Sequence, residues 1–202
     1  VVSGVGATTL SGKPATAVLS TDPADLAGSG SPADAVIFAL GNMLLSPEVI
    51  VSGINEGQNY SNIARIFSGT VGAARAGRAR GVPAIASSQG IVAGETTDYP
   101  AGVTATLALL EEWRLGRTVN TTKSVLNINI PTCIDPLVPR GTVNTVVKTA
   151  LEPGDNYGLQ DCASAEPIEN IANDLQAFNH GFVGITDINR TETLKVTSYN
   201  VG

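Results

Sequence analysis

Charged residues are scarce in this sequence: Asp, Glu, Lys and Arg together make up 15% of its 202 residues. The formal net charge is −6, and the isoelectric point is about 4.7. Proteins that bind a nucleic-acid polymer present basic faces to its phosphates, so this acidic chain is not expected to bind one. A small phosphorylated substrate remains compatible with the charge, because helix dipoles and metal ions act locally.

The sequence also lacks an apolar run long enough to cross a membrane, so no membrane partner is expected. Aromatic residues are few, at 4%, but the hydrophobic residues as a group reach 43%. That content and the chain length predict a single domain over residues 1–202 with a substantial core.

Cysteine is limited to Cys133 and Cys162, which are 29 residues apart (162 − 133). Lysine is scarce, Ser, Thr and Asn are plentiful, and glycosylation sequons begin at Asn59, Asn120 and Asn189. This composition predicts a secreted or otherwise extracytoplasmic protein, in which the two cysteines are expected to form a disulfide. In the chain-entropy model, closing such a loop stabilises the fold by about 3–4 kcal/mol.

The arrangement of secondary structure is clearest between residues 49 and 88. Val49-Ile50-Val51 is rich in β-branched residues and too short for a helix, so it predicts a buried strand. A polar loop follows over residues 52–59, and the small residues after Ser68, a suitable N-cap, predict a helix. Residues 82–86 predict a second strand. Strand, loop, helix and strand in this order form a βαβ unit, which implies a parallel sheet.

The polar loop is the candidate functional site. It follows the carboxyl end of a predicted strand, where open α/β sheets bind ligands, and it offers oxygens from Ser52, Asn55 and Asn59. The helix start at residues 68–70 presents unpaired N–H groups that favour an anion. Together these features indicate a metal and phosphate site. From the spacing alone, an ordinary glycine-rich turn followed by a helix cap explains the pattern equally well.

A resemblance to a known family favours the first interpretation. The motifs Ser52-Gly53-Ile54-Asn55-x-Gly57-x-Asn59, Ser68-Gly69-Thr70-Val71-Gly72-Ala73-Ala74 and Gly81-Val82-Pro83-Ala84-Ile85-Ala86 resemble, in order and spacing, the core of the SurE (survival protein E) family. Members of that family are metal-dependent nucleotidases and acid phosphatases. The resemblance implies an α/β fold with a three-layer, Rossmann-like parallel sheet and an extended β-hairpin or loop region in the second half.

The resemblance also implies a cofactor, a substrate and site residues. The cofactor is a divalent metal, Mg²⁺ or Mn²⁺, since these cations prefer oxygen ligands. The substrate is a small phosphorylated molecule such as a nucleoside monophosphate, and the assembly is a homodimer. Asn55 and Ser3 match the family's metal ligands. The matching phosphate-binding positions are Ser68, Gly69, Thr70, Asn59 and Gly57.

One family motif has no counterpart in this sequence. The family places adjacent aspartates in an Asn-Asp-Asp-Gly motif after its first strand, and this sequence contains no adjacent aspartates. The catalytic residues are therefore unknown, and the chain resembles a SurE domain lacking roughly three dozen N-terminal residues, about one βα unit. Residues 1–202 on their own are expected to hydrolyse AMP negligibly. The alternative function is a noncatalytic secreted binding or scaffold protein that keeps the fold.

Periodicity predicts further elements after the central unit. A helix is predicted from Tyr99 to Leu115, ended by Gly116. Residues 124–131 alternate with period two, which predicts a strand whose asparagines are structural. The apolar positions of the helix recur every three or four residues and predict a buried face formed by Val103, Leu107, Leu110 and Trp113.

The second half of the chain is less regular. Residues 132–170 are rich in Pro, Gly, Asn and Asp and are predicted to form a loop or hairpin excursion, with a strand within residues 142–149. In the family, such a hairpin takes part in dimer contacts. Residues 193–199 predict an edge strand. Asp34, in a first helical turn, is predicted to be structural rather than catalytic. His180, the only histidine, is predicted to be a surface residue rather than a general acid.

Overall fold

In the computed structural model of the protein, the described residues are 31–41, 44–116, 125–150, 152–188 and 198–199. Ser3 and the sequons at Asn120 and Asn189 lie outside these ranges. The helices are α1 (Pro32–Gly41), α2 (Ser61–Phe67), α3 (Gly69–Arg78), α4 (Tyr99–Arg114) and α5 (Asp174–Asn179), with a 3-10 turn at Ile168–Asn170. The strands are β1 (Ile50–Glu56), β2 (Ala84–Gln89), β3 (Val125–Ile130), β4 (Thr142–Thr145), β5 (Val183–Asp187) and β6 (Ser198–Tyr199).

The strands form one sheet in the order β1-β2-β3-β5-β4-β6. β1, β2 and β3 are parallel, as the βαβ pattern predicts. β5 runs antiparallel to β3, β4 runs parallel to β5, and β6 runs antiparallel to β4. The predicted α/β fold is confirmed, but the sheet is mixed rather than wholly parallel. The long loop after β3 reverses the chain direction before β4, so the β4–α5–β5 unit enters the sheet inverted.

Helices cover both faces of the sheet and produce three layers. On one face α3 packs Val71 and Ala74 onto Ala84, Ala86 and Val125, and α1 packs against α3. On the other face, Leu109 of α4 packs against a cluster of strand residues comprising Ile85, Leu126, Ile128, Ile130, Val183 and Ile185. Because both faces are covered, every residue of β2 and β3 is buried.

α4 begins and ends where the sequence predicts, with Leu115 as C-cap and Gly116 at φ +69°. Its predicted buried face is right for Leu110, which packs against the core cluster, and wrong for Val103 and Leu107. Val103 is 46% exposed and Leu107 is 58% exposed, whereas the buried residues of the helix are Gly102, Thr106 and Leu109. Small residues form the buried face because they let the helix approach the sheet closely. At this contact the Thr106 hydroxyl lies 2.8 Å from the Ser87 hydroxyl.

The region 132–170 is mostly loop, as predicted, and it is tied down covalently. The predicted disulfide between Cys133 and Cys162 is present, with 5.7 Å between the Cα atoms. In residues 132–150 and 152–170 the structure places one strand, β4, which pairs with β5 and β6. This described part therefore contains no β-hairpin of its own. In the same coverage of the chain, no helix is long and apolar enough to cross a membrane.

Candidate functional site

A β-bulge in β1 sets the direction of the candidate site residues. Ser52 pairs with Ala86 and Asn55 pairs with Ser88, so β1 has one more residue than β2 between these pairs. Gly53 lies in the bulge with φ +123°, and a Cβ there would lie 2.3 Å from a β2 carbonyl oxygen, so only glycine fits. The extra residue turns Asn55 to the face of Ser52 and Ala86, which α3 covers.

Asn55, Ser88 and Asn129 occupy neighbouring register positions on β1, β2 and β3. Adjacent strands lie about 4.8 Å apart, so these three side chains form one transverse line, called here the polar row. On the same face, nearer the start of β2, lie Ala84 and Ala86, which belong to the apolar core. The face therefore changes from apolar to polar toward the carboxyl ends of the strands, where α/β sheets bind ligands.

The amide of Asn55 has a fixed orientation. Its Nδ2 donates to the carbonyl oxygens of Gly57 at 2.7 Å and of Glu56 at 3.1 Å. Both N–H bonds of the amide are used, so Oδ1 is the atom that Asn55 offers to a ligand. Gly57 has φ +103°, and its own N–H donates to the Gln89 carbonyl at 2.7 Å. Gly57 thus shapes the turn that holds Asn55.

The backbone of Asn59 is held by two asparagines of β3. Its N–H donates to Oδ1 of Asn129 at 2.6 Å. Its carbonyl oxygen accepts from Nδ2 of Asn127 at 2.6 Å and from Nδ2 of Asn129 at 2.9 Å. Both asparagines are 1% exposed. They were predicted to be structural, and their bonds agree with that role, since they fix the backbone of a candidate site residue. The signal for this in the sequence is the pair of amides at alternate positions of an otherwise apolar strand.

The side chain of Asn59 lies over the polar row. Its Nδ2 donates to the hydroxyl of Ser88 at 2.8 Å, and Ser88 is fully buried. A glycan on this nitrogen would have to fit beside the buried Ser88, and Ser61, the third residue of the sequon, is 1% exposed. The first sequon is therefore part of the site and unsuited to carry a glycan in the folded protein.

The N-terminus of α3 is directed toward the same end of the sheet, where β1, β2 and β3 have their carboxyl ends. Gly77, in the last turn of α3, is so near Ile50, the first residue of β1, that a Cβ would lie 2.2 Å from Ile50 Cδ1. The helix end is therefore above the start of the strand. Because a crossover helix runs back along the sheet, the start of α3 is directed toward the carboxyl ends of the strands, the end at which the polar row lies.

Ser68 is the N-cap of α3, as predicted, and its Oγ accepts from the N–H of Val71 at 3.1 Å. Helix geometry gives the N–H groups of Gly69 and Thr70 no acceptor within the helix. Two such donors and the positive end of the dipole attract an anion. A Cβ on Gly69 would lie 3.0 Å from Pro32 Cγ, so this position also lets α1 approach.

The loop that follows β4 closes one side of the site. Gln58 Nε2 donates to the Tyr157 carbonyl at 2.6 Å, and the Tyr60 hydroxyl donates to the same oxygen. The Tyr60 and Tyr157 rings stack with centroids 5.5 Å apart, and Tyr60 also packs against Phe178 at 5.0 Å. Burial raises the pKa of Tyr60 well above its usual value, so the phenol stays neutral. This loop thus fixes the segment that contains Asn59.

The predicted structural role of Asp34 is confirmed. Its Oδ2 accepts from the N–H of Ser31 at 2.7 Å and from its hydroxyl at 3.0 Å, which caps α1. His180 follows α5 as its C-cap, and its Nδ1 lies 2.8 Å from the hydroxyl of Ser164. Its partner is therefore a loop hydroxyl of the second half of the chain.

The donor set tests whether these residues fit a divalent metal. Asn55 offers one amide oxygen, and the Ser3 hydroxyl lies outside the described ranges. Glu56 is exposed, and its Oε1 accepts from Thr97 at 3.0 Å. Among the described residues, no group of three or more His, Cys, Asp or Glu side chains is placed to hold a metal. Since hard cations require several oxygen ligands, the described part alone does not complete such a site.

Comparison with known proteins shows which family the chain is similar to. The family model described as "Survival protein SurE" matches residues 2–151. A curated protein of Dehalococcoides mccartyi named 5'-nucleotidase SurE is 30% identical over 78% of this chain and 62% of its own length. One of Laribacter hongkongensis with the same name is 32% identical over 79% of this chain and 67% of its own length. The chain thus spans 62% and 67% of the lengths of these two relatives, about two thirds.

A solved structure gives independent support for the fold. The crystal structure of the SurE protein from Aquifex aeolicus superimposes with a TM-score of 0.61 and 24% sequence identity. The alignment covers 79% of this chain and 67% of the Aquifex chain. At this level of identity the likeness establishes the α/β architecture.

Proposed function

Because the chain belongs to the SurE family, we propose that the protein hydrolyses phosphomonoesters, with nucleoside monophosphates as the substrate class. The curated relatives named 5'-nucleotidase SurE support this activity. The single observation that carries the proposal is that the polar row lies at the carboxyl ends of β1, β2 and β3, the end of the sheet toward which the N-terminus of α3 is directed. That end combines an oriented amide oxygen with donors for an anion.

In this proposal the phosphate group binds at the start of α3. The N–H groups of Gly69 and Thr70 donate to its oxygens, and the Ser68 hydroxyl hydrogen is available because Oγ acts as the acceptor in the cap. Asn59 lies beside them through its bond to Ser88. Fixed donors of this kind stabilise charge on the transferring group without reorganising during the reaction.

We propose Mg²⁺ or Mn²⁺ as the cofactor, with Asn55 Oδ1 as one neutral ligand and Ser3 as a second. Such a metal, when bound, polarises a phosphoryl oxygen and lowers the pKa of a bound water. Neutral ligands hold a hard cation weakly, so carboxylates from beyond the described residues are required. What the described residues contribute is orientation, because both N–H bonds of the Asn55 amide are fixed by the backbone.

The test is phosphate release from AMP by the full-length protein with Mg²⁺ or Mn²⁺. In this proposal the Thr70 hydroxyl also donates to the phosphate, and Thr70→Val removes it while keeping the side-chain shape, so kcat/KM is expected to fall about tenfold. Thr104→Val is the matched control, since Thr104 is exposed on α4 and bonds the Pro100 carbonyl. Absence of turnover in the full-length protein with either metal, on AMP and on p-nitrophenyl phosphate, would refute the proposed activity.

The competing proposal is a noncatalytic binding or scaffold protein with the same fold. The observation in its favour is that no acidic metal-binding cluster occurs within the described ranges. The same experiment separates the two functions. AMP that binds to the full-length protein with Mg²⁺ and is recovered intact supports the binding protein and contradicts the hydrolase.

We further propose a secreted homodimer. The disulfide is suited to an oxidising compartment. Exposed apolar side chains on α4 and on the loop after β3 provide a surface for a second copy, and they include Val103, Leu107, Ile134, Leu137 and Val138. Light scattering of the purified protein at twice the monomer mass supports the dimer, and the monomer mass at high concentration contradicts it.

A further inference from the structure

We propose that Asp174 is a positioning residue for the phosphate site, acting through the turn from Asn59 to Ser61. The inference rests on the proposed function, because it concerns the aim of Asn59 toward the phosphate. Asp174 begins α5 and lies 113 residues from Ser61. It is outside residues 2–151, which the family model matches.

The carboxylate of Asp174 joins three segments that are far apart in the sequence. Its Oδ2 accepts from the N–H of Ser61 at 2.7 Å. Its Oδ1 accepts from the N–H of Lys148 at 2.9 Å and from that of Leu175 at 2.9 Å. Asp174 is 2% exposed. A single buried side chain therefore links the start of α2, the loop after β4 and the first turn of α5.

Ser61 needs this support because its backbone is strained. Its φ is +58°, a left-handed conformation that costs a non-glycine residue free energy and persists only when the surroundings enforce it. The bond from its N–H to Asp174 is one such restraint, and the Ser61 hydroxyl lies 3.2 Å from the Tyr157 hydroxyl. The turn that follows Asn59 is thus held in an otherwise unfavourable shape by α5 and the Tyr157 loop.

The two ends of the turn are held from opposite sides. Asn127 and Asn129 of β3 fix the backbone of Asn59, and Asp174 fixes Ser61, with buried Tyr60 between them. With both ends fixed, the backbone places the Asn59 side chain so that its Nδ2 donates to the hydroxyl of Ser88. Release of the Ser61 end frees the turn to relax toward ordinary backbone angles and moves Asn59 away from the phosphate position.

Stability alone does not explain a carboxylate at this place. Burying an ionised group is costly, and well-packed apolar residues often stabilise a core as well or better. Burial raises the pKa of Asp174, which shows that the cost is present even with its backbone donors. What a carboxylate provides, and a hydrocarbon does not, is simultaneous acceptance of N–H groups from separate segments. That property fixes geometry.

The test compares Asp174→Asn with Asp155→Asn in the full-length protein. The amide introduced by Asp174→Asn has a single acceptor oxygen, which is expected to take the Oδ1 side, where the N–H groups of Lys148 and Leu175 meet. Its N–H₂ group then faces the N–H of Ser61 in place of Oδ2. Asp155 is the control, because its carboxylate bonds the side chain of Lys148 and the N–H of Glu152 but not Ser61. Inorganic phosphate with Mg²⁺ is the ligand, and its binding is followed by ³¹P NMR, which does not require turnover.

The proposal expects Asp174→Asn to weaken phosphate binding about tenfold, as loss of a directed contact does, and to accelerate hydrogen exchange at the Ser61 amide. Asp155→Asn should change neither quantity. Faster exchange at Ser61 with unchanged phosphate binding would overturn the positioning role. Wild-type protein that binds phosphate without hydrolysing AMP would refute only the hydrolase activity, whereas wild-type protein that binds no phosphate would overturn both proposals.

If Asp174→Asn does not fold, the double variant Ser61→Gly/Asp174→Asn is measured against Ser61→Gly. Glycine adopts φ near +58° without steric cost, so the double variant is expected to fold. Glycine also reaches many other backbone angles, so without the carboxylate the turn after Asn59 is no longer held in one shape. Weaker phosphate binding by the double variant than by Ser61→Gly supports the proposal. Equal binding overturns it.

Discussion

Replacing Asn129 and Asn127 by leucine, one at a time, tests the hold on Asn59 quantitatively. Leucine has the same branched side-chain shape as asparagine and lacks hydrogen-bonding groups. Both positions lie on the same face of β3 and are 1% exposed, so the effects of apolar burial and of the added volume are similar and cancel in the comparison. The difference between the two variants therefore reports their bonds to Asn59.

The two variants leave different groups without partners. Asn129→Leu leaves the N–H of Asn59 unpaired and removes one of two bonds to its carbonyl oxygen. An unpaired donor costs about 1–3 kcal/mol, and a lost bond with its acceptor still satisfied costs about 1 kcal/mol. Asn127→Leu removes one bond to a carbonyl that Asn129 still serves. It also removes a buried Oδ1 that has no partner among the described residues.

Asn129→Leu is therefore expected to lower the free energy of unfolding by about 2 kcal/mol more than Asn127→Leu does. Urea unfolding with a common m-value measures this difference. For a protein of this size, 2 kcal/mol corresponds to a difference in Tm of roughly 4–8 °C. Equal losses, or a larger loss for Asn127→Leu, would refute the assignment of the main restraint to Asn129.

Three further predictions use other parts of the molecule. Asn55→Ala in the full-length protein should reduce kcat/KM for AMP about tenfold, roughly 1.4 kcal/mol, and an unchanged value would remove Asn55 from the site. Carboxyl NMR should find the pKa of Asp174 above the ordinary 3.8 because of burial, and that of Asp155 below it because of its bond to Lys148. Relative to matched amide variants, the contribution of Asp174 to stability then falls as pH rises through its raised pKa. The contribution of Asp155 to stability is lost as pH falls through its lowered pKa. A pKa of Asp155 above that of Asp174 would contradict this prediction. Thiol titration of denatured, unreduced protein should find no reactive cysteine, and two thiols would contradict the disulfide between Cys133 and Cys162.

Local patterns in the sequence were sufficient for much of the fold. The β-branched run at residues 49–51, the alternation at residues 124–131 and the helix from Tyr99 each have a period or a boundary residue that identifies them. The predicted burial of the first run is wrong, because β1 stands at the end of the described strand order and its residues are half-buried or exposed. The N-cap at Ser68 was also predictable, because capping depends on a hydroxyl and the three residues after it. These features are short-range, and tertiary contacts reinforce them.

The buried face of α4 could not be predicted in this way. Hydrophobic periodicity pointed to Val103 and Leu107, but the contact with the sheet is made through Gly102 and Thr106. Small size matters there because β2 lies directly below, and the sequence does not state which strand a helix will cover. The restraint of Asn59 by β3 and of Ser61 by α5 depends on residues more than 60 positions away, for the same reason.

The bulge at Gly53 shows how one residue converts a strand pattern into a site. Without the extra residue, strict alternation would place Asn55 on the face opposite Ser52, toward α4. With it, Asn55 joins Ser88 and Asn129 in register on the face where α3 begins. The close approach to β2 requires glycine at this position. Gly53 therefore determines where Asn55, the candidate metal ligand, lies, although Gly53 is not itself part of the proposed site. A side chain at Gly53 is expected to shift the register of Asn55 while the start of α3 keeps its position. Such a variant therefore tests the metal half of the proposed site separately from its phosphate half.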